Sequence, residues 1–130
     1  MEMLVRNAIC QYNTYVSEAR LYEKWFFQMN DEEASKKMHL IEMKISTINA
    51  WLNLLSYDEK FVIEKHLIDG IEWARIAFEF RERWNKEFFR TERTLQIYQA
   101  KALKKIALFA NAHREITLSL FSDLACQAEG

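Results

Sequence analysis

Proline is missing from the 130 residues, and glycine occurs only at Gly70 and Gly130. A chain with so few backbone breakers reads as helical almost throughout. The period-two alternation bounded by turn residues that marks strands does not occur. No apolar run reaches the roughly 20 residues a membrane-spanning helix needs. The N-terminus lacks the basic-then-apolar layout of a secretion signal. A cytoplasmic protein with no membrane partner is therefore expected. Cysteine appears twice, at Cys10 and Cys126, near opposite ends of the chain. That spacing points to neither a disulfide framework nor a zinc site. His39, His66 and His113 each stand alone, and there is no His-Glu-x-x-His pattern and no glycine-rich phosphate loop. Ser17, Ser35 and Ser56 have no base at a defensible spacing. The expectation is a chain with no catalytic residues, no metal and no cofactor.

Hydrophobic residues, in contrast, make up 50% of the chain. That is enough to bury a core in one domain, or in one domain with an appendage. Net charge is −1, but it is unevenly spread. Residues 1–80 hold 9 Lys+Arg against 13 Asp+Glu, and residues 81–105 hold 8 against 3. A local basic patch counts for more in nucleic-acid affinity than global charge does. An ordinary solvated helix face would also carry such charges, so the patch acquires meaning only from its structural setting.

That setting is the stretch 54–109, where three helical patterns follow one another. The first opens at Ser56 with Glu59 three residues on, the spacing of a capping box. It closes at Asp69-Gly70, where glycine suits the left-handed turn that ends a helix. The second puts Trp73, Ile76, Ala77 and Phe80 on one face. The third starts at Thr91, a good N-cap residue, and carries Leu95, Tyr98, Ala102, Ile106 and Phe109 along one stripe. With that stripe inward, about 100° per residue turns Arg93, Gln96, Ile97, Ala100, Lys101 and Lys104 outward. Arg and Gln are side chains that read guanine and adenine edges, and small apolar groups meet the thymine methyl. Helix, glycine turn, short helix, loop and basic helix is the layout of a helix-turn-helix, whose last helix lies in a major groove.

The stretch resembles the fourth region of bacterial sigma factors. More closely, it looks like the small phage late-gene transcription regulators of the ArpU and RinA type. The residues carrying the resemblance are Leu55-Ser56 with Glu59, Val62-Ile63, His66-Leu67, Gly70, Trp73, Ile76-Ala77, Arg93-Thr94-Leu95, Tyr98-Gln99 and Ala102-Leu103. They span roughly residues 54 to 107. The connection Glu82 to Arg90, containing Trp84, Phe88 and Phe89, is longer than the tight turn of the simplest helix-turn-helix. The resemblance implies a phage or prophage switch for late genes, with a contact to host RNA polymerase. It also implies that His66 has a structural role at a helix end.

On either side lie further helical patterns. Residues 1–30 read as one long helix with a heptad-like seam of Val5, Ile9, Tyr12, Val16, Ala19, Tyr22, Phe26 and Met29. Asn30-Asp31 with Glu32 and Glu33 marks a new start. Residues 32–55 repeat the three-four spacing at Met38, Ile41, Ile45, Ile48, Leu52 and Leu55. Two such helices with a short connection fold back as an antiparallel hairpin. Their seam is compatible with a homodimer and equally with packing inside one chain. Residues 107–130, with Ile116, Leu118, Leu120, Phe121 and Leu124, either continue the third helix or form another. They cap the core or join a subunit interface. The expected organisation is all-α: a helical hairpin over 1–53, a sigma region 4-like helix-turn-helix over 54–109, and a C-terminal helix over 110–130.

Two functions fit. The first is a sequence-specific regulator of double-stranded DNA. Arg93, Gln96, Ile97, Ala100 and Lys101 would face bases. Arg90, Lys104 and Lys105, with Arg81, Arg83 and Lys86, would hold phosphates, and Thr91 and Thr94 would assist near the helix start. The second is a helical protein-interaction module without a DNA function, for which the acidic first 80 residues and long seams speak. The tryptophans and phenylalanines could also stack on single strands, but most sit on helical seams, which favours the core.

Overall fold

Capping residues set the starts of some helices and packing sets the ends of others. The structure, a computed structural model, describes residues 1–29, 32–84 and 91–129. The described residues are helical nearly throughout and contain no strand. The chain runs α1 (Glu2–Cys10), α2 (Tyr12–Met29), α3 (Glu32–Leu52), α4 (Tyr57–Val62), α5 (Trp73–Trp84), α6 (Glu92–Ala112), α7 (Arg114–Leu120) and α8 (Ser122–Glu129). Between α4 and α5 the helix continues as a π-wound turn over Ile63–Ile68.

The long first helix expected over 1–30 is broken at Gln11. Its backbone sits at φ −89, ψ 1, and its N–H bonds to the carbonyls of Asn7 (3.2 Å) and Ala8 (3.1 Å). The break lets two faces serve two partners. Leu4, Val5, Ala8 and Ile9 of α1 are buried, and α1 packs on α6, α8 and the π-turn. Tyr12, Tyr15, Ala19 and Tyr22 of α2 join the same core from the side of α3. There the Tyr12 hydroxyl donates to Asn49 Oδ1 at 3.1 Å. An early residue of α2 thus meets a late residue of α3, so the two helices run in opposite directions. The start signal at Asn30-Asp31 lies outside the described residues.

One core cluster joins α1, α2 and α3 to the π-turn, α6, α7 and α8 around Trp51 and Phe121. Their rings lie 5.5 Å apart, with Tyr15 at 6.4 Å from Phe121. The C-terminal segment therefore caps the core through Leu120, Phe121 and Leu124. Ile116, expected among the packed residues, is exposed. A second cluster holds Phe61, Val62, Ile76, Phe80 and Leu95, with Trp73, Ala77 and Tyr98 against it. It fixes α4, α5 and α6 to one another.

Local signals over 54–109 appear as expected. Ser56 Oγ accepts from the Glu59 N–H (3.4 Å), and Glu59 Oε1 accepts from the Ser56 N–H (2.9 Å). Gly70 takes a left-handed φ of +69. Thr91 caps α6 through its hydroxyl, which accepts from the Thr94 N–H at 3.2 Å. Two expectations need correction. Helix α5 runs on through Trp84, into the stretch read as a connection from Glu82. Phe109, read as core, is partly exposed with its ring against His113, because α6 continues to Ala112 and buries Leu103, Ala107 and Ala110 instead. Lys86, Phe88, Phe89 and Arg90 lie outside the described residues.

Candidate nucleic-acid interface

Helix α6 is the element to build from. Its capped start and 21-residue length give it two distinct faces. Leu95, Ala102 and Ile106 are fully buried, with Gln99 and Leu103 beside them. The inward stripe fixes the outward one, because a helix rotates about 100° per residue. Arg93, Gln96, Ile97, Ala100, Lys101 and Lys104 are all exposed. Their positions recur at three- and four-residue steps, so they share one face over about three turns.

Of the rest of the expected set, Thr91, Thr94 and Lys105 belong to the same helix or its cap. Thr91 is exposed and Thr94 half-buried, with their hydroxyl oxygens 3.0 Å apart at the helix start. Both are thereby engaged in capping. Lys105 lies at the edge, and its Nζ donates to Glu59 Oε1 at 2.6 Å. Arg90 lies outside the described residues.

Electrostatics separate the free cations from the paired ones. Glu79 takes Lys65 (3.6 Å) and Arg75 (3.4 Å), Glu64 faces Lys60 (4.0 Å), and Glu59 takes Lys105. Arg93, Lys101 and Lys104 enter no ion pair among the described residues. Lys101 and Lys104 instead line a groove together with Tyr98, Leu108, Ser56, Asp58 and the Glu59–Lys105 pair. Unpaired cations on one convex helix face are suited to phosphate, and an arginine and an amide between them are suited to base edges.

Two residues that orient α6 were singled out in the sequence, Glu59 in a capping box and His66 in a structural role, but their partners on α6 were not. The first is Glu59, which is buried. Burial works to raise its pKa. Hydrogen bonds from Lys105 and Ser56, together with the lysine charge, outweigh that and hold the carboxyl below its ordinary value. Glu59 therefore stays ionised and ties the start of α4 to the middle of α6. The second is His66, on the π-turn. Its ring stacks on Trp73 of α5 with centroids 3.9 Å apart and an interplanar angle of 25°. Its Nδ1 lies 2.6 Å from Gln99 Oε1 of α6. An amide oxygen only accepts, so Nδ1 carries the proton in this contact. One imidazole thus bridges α4's extension, α5 and α6, which agrees with a structural role at a helix end. The signal available in the sequence was Gln99 itself, a polar residue on the inward stripe of α6.

No group of three or more His, Cys, Asp or Glu able to hold a metal gathers among the described residues. Nor is any described helix long and apolar enough to cross a membrane. Set against known proteins, the chain matches no protein-family model, no curated protein and no solved structure.

Proposed function

We propose that this chain is a sequence-specific regulator that binds double-stranded DNA with α6 in the major groove. The observation that carries the reading is the exposed face of α6, where Arg93, Gln96, Lys101 and Lys104 stand together around Ile97 and Ala100. In this reading α4 with its π-turn and α5 support α6 as a helix-turn-helix of the sigma region 4 type, and α2 with α3 forms the hairpin ahead of it. Arg93 and Gln96, near the N-terminal end of α6, read base edges, and Ile97 and Ala100 meet thymine methyls. Lys101 and Lys104 hold phosphates. Lys105 joins them only by leaving Glu59, which places it at the margin of the interface. The further reading, a phage late-gene activator of the ArpU and RinA type that touches host RNA polymerase, rests on the sequence resemblance over residues 54 to 107.

The test is fluorescence anisotropy of a mixed duplex pool titrated at two salt concentrations, with wild type beside Lys101→Glu/Lys104→Glu. Binding should be salt-sensitive, and the variant should lose it. Removing two phosphate contacts lowers the slope of log affinity against log salt by about 2. Once a preferred site is selected, Arg93→Ala should cost about 1–3 kcal/mol and relax base preference at one position. Absence of binding at low salt by the folded protein would discard the DNA reading in favour of a helical protein-interaction module.

A further inference from the structure

The outer face of α6 is not charged evenly. At about 100° per residue, Gln96 and Ala100 form one edge, which carries no charge. Lys101 and Lys105 stand toward the opposite edge, with Lys104 between the two edges. From Lys101 to Lys105 the helix rises only about 6 Å. These lysines share one groove with the start of α4, where Asp58 and Glu59 also line the wall. What the groove can hold depends on how those two carboxylates are used. Asp58 enters no ion pair among the described residues, whereas Glu59 takes Lys105 at 2.6 Å.

The two members of that pair differ in freedom. Glu59 has 8% of its side chain in solvent and Lys105 has 49%. The same Glu59 Oε1 that meets Lys105 accepts from the Ser56 N–H at 2.9 Å, and Ser56 Oγ accepts from the Glu59 N–H. The capping box therefore fixes the carboxylate, while the lysine is held by its tip alone. A phosphate approaching this edge of α6 competes for Lys105 with a fixed carboxylate already in a charge-assisted hydrogen bond. Lys101 and Lys104 meet the phosphate without an ion-pair competitor among the described residues. Each lysine that neutralises a phosphate releases counterions and adds about 0.9 to the slope of log affinity against log salt.

We infer that Glu59 limits the affinity of α6 for duplex DNA by withholding Lys105 from the phosphate backbone that Lys101 and Lys104 engage. This role rests on the DNA reading and adds to it a residue that restrains binding. A carboxylate that served only as a joint between α4 and α6 would act with the opposite sign. Loosening a joint disturbs the setting of α6 and weakens binding, whereas removing a restraint strengthens it.

Fluorescence anisotropy of a mixed duplex pool, titrated across salt with the full chain as wild type, Glu59→Gln and Glu59→Gln/Lys105→Gln, tests it. Glu59→Gln keeps an oxygen for Ser56 and releases Lys105 from its charged partner. It should bind about 3- to 10-fold tighter near about 0.1 M salt, with a salt slope steeper by about 0.9. Adding Lys105→Gln should remove both gains. A folded Glu59→Gln that binds no tighter than wild type overturns the proposal, and so does a gain that survives Lys105→Gln. Lysine acylation read by mass spectrometry tests the wild type directly, whatever the fold of a variant. Duplex DNA should protect Lys101 and Lys104 and leave Lys105 as reactive as in the free chain. Protection of Lys105 equal to theirs overturns the proposal. A wild type that binds no DNA removes the DNA reading together with this role for Glu59. A wild type that binds, beside a Glu59→Gln that binds no tighter, removes the role of Glu59 alone.

Discussion

Replacing Glu59 tests whether one carboxylate fixes both the start of α4 and the setting of α6. In Glu59→Ala the Ser56 N–H loses its acceptor, a loss of about 1 kcal/mol on the scale of helix caps and neutral hydrogen bonds. The charged hydrogen bond with Lys105 is also lost. A charged bond contributes about 1.5–3 kcal/mol when shielded. Lys105 is half exposed, with 49% of its side chain in solvent, so water recovers part of it and about 1–2 kcal/mol remains. The expected loss is about 2–3 kcal/mol. At this chain length each kcal/mol moves the midpoint by about 3–5 °C. Glu59→Gln keeps an oxygen for Ser56 and loses only the charge, and should lose about 1 kcal/mol. The direction with pH follows from the lowered pKa of Glu59. A depressed carboxyl contributes stability that is fully present above its unfolded value near 4.5 and disappears as pH falls through the lower folded value. Urea unfolding of wild type and Glu59→Gln at pH 7 and at steps below pH 4.5 should therefore show a gap that closes with acid. A gap that persists unchanged to pH 3, or a Glu59→Ala variant as stable as wild type at pH 7, would refute the argument.

Other substitutions probe the remaining joints. Gly70→Ala should destabilise by about 1 kcal/mol in chemical denaturation, and Gly70→Asn by less. Nothing lies within 4 Å of an added Cβ, so the cost comes from the left-handed φ alone. Phe121→Ala should lose about 3–5 kcal/mol, because it empties the space between Trp51 and Tyr15. A loss under 1 kcal/mol would mean that the C-terminal segment does not belong to the core. His66→Ala should lose about 1–3 kcal/mol by leaving the buried Gln99 amide unsatisfied. In a double-mutant cycle with Gln99→Ala, thermal melts should give a coupling of about 0.5–3 kcal/mol.

Some of this was legible in the sequence because it is local. Ser56 with Glu59, Gly70 and Thr91 act within one helical turn, so their spacing alone set the ends of α4, its π-extension and α6. The outward face of α6 was legible because the inward stripe repeats over several turns and leaves only one direction for Arg93, Gln96, Lys101 and Lys104. The break at Gln11 was not legible. The apolar period runs through it unbroken, and glutamine is no helix breaker. Its cause is tertiary, since α1 and α2 answer to different neighbours. The π-winding after Val62 likewise leaves no mark in composition. Contacts between distant residues were also out of reach. His66 meets Gln99 across 33 positions and Lys105 meets Glu59 across 46, so neither pairing follows from periodicity. Phe109 was misplaced for a related reason. The stripe of a 21-residue helix is decided at its end by what packs there, in this case α7, and not by extrapolation from its start.

The break at Gln11 also decides where this protein can be cut. Helix α1 is tied by the chain to α2, yet its buried face belongs to α6, α8 and the π-turn. A fragment beginning at Leu54 would keep every residue of the α4–α6 unit and lose the wall against which Ala102, Ile106 and Ala110 are sealed. A piece able to present α6 in its native setting therefore needs α1, and with it the end of α3 that carries Ile48, Trp51 and Leu52 into the same core. A chain beginning at Tyr12 keeps the rest of that core and should recruit residues 2–10 supplied as a separate peptide, which would turn a covalent strap into a measurable ligand.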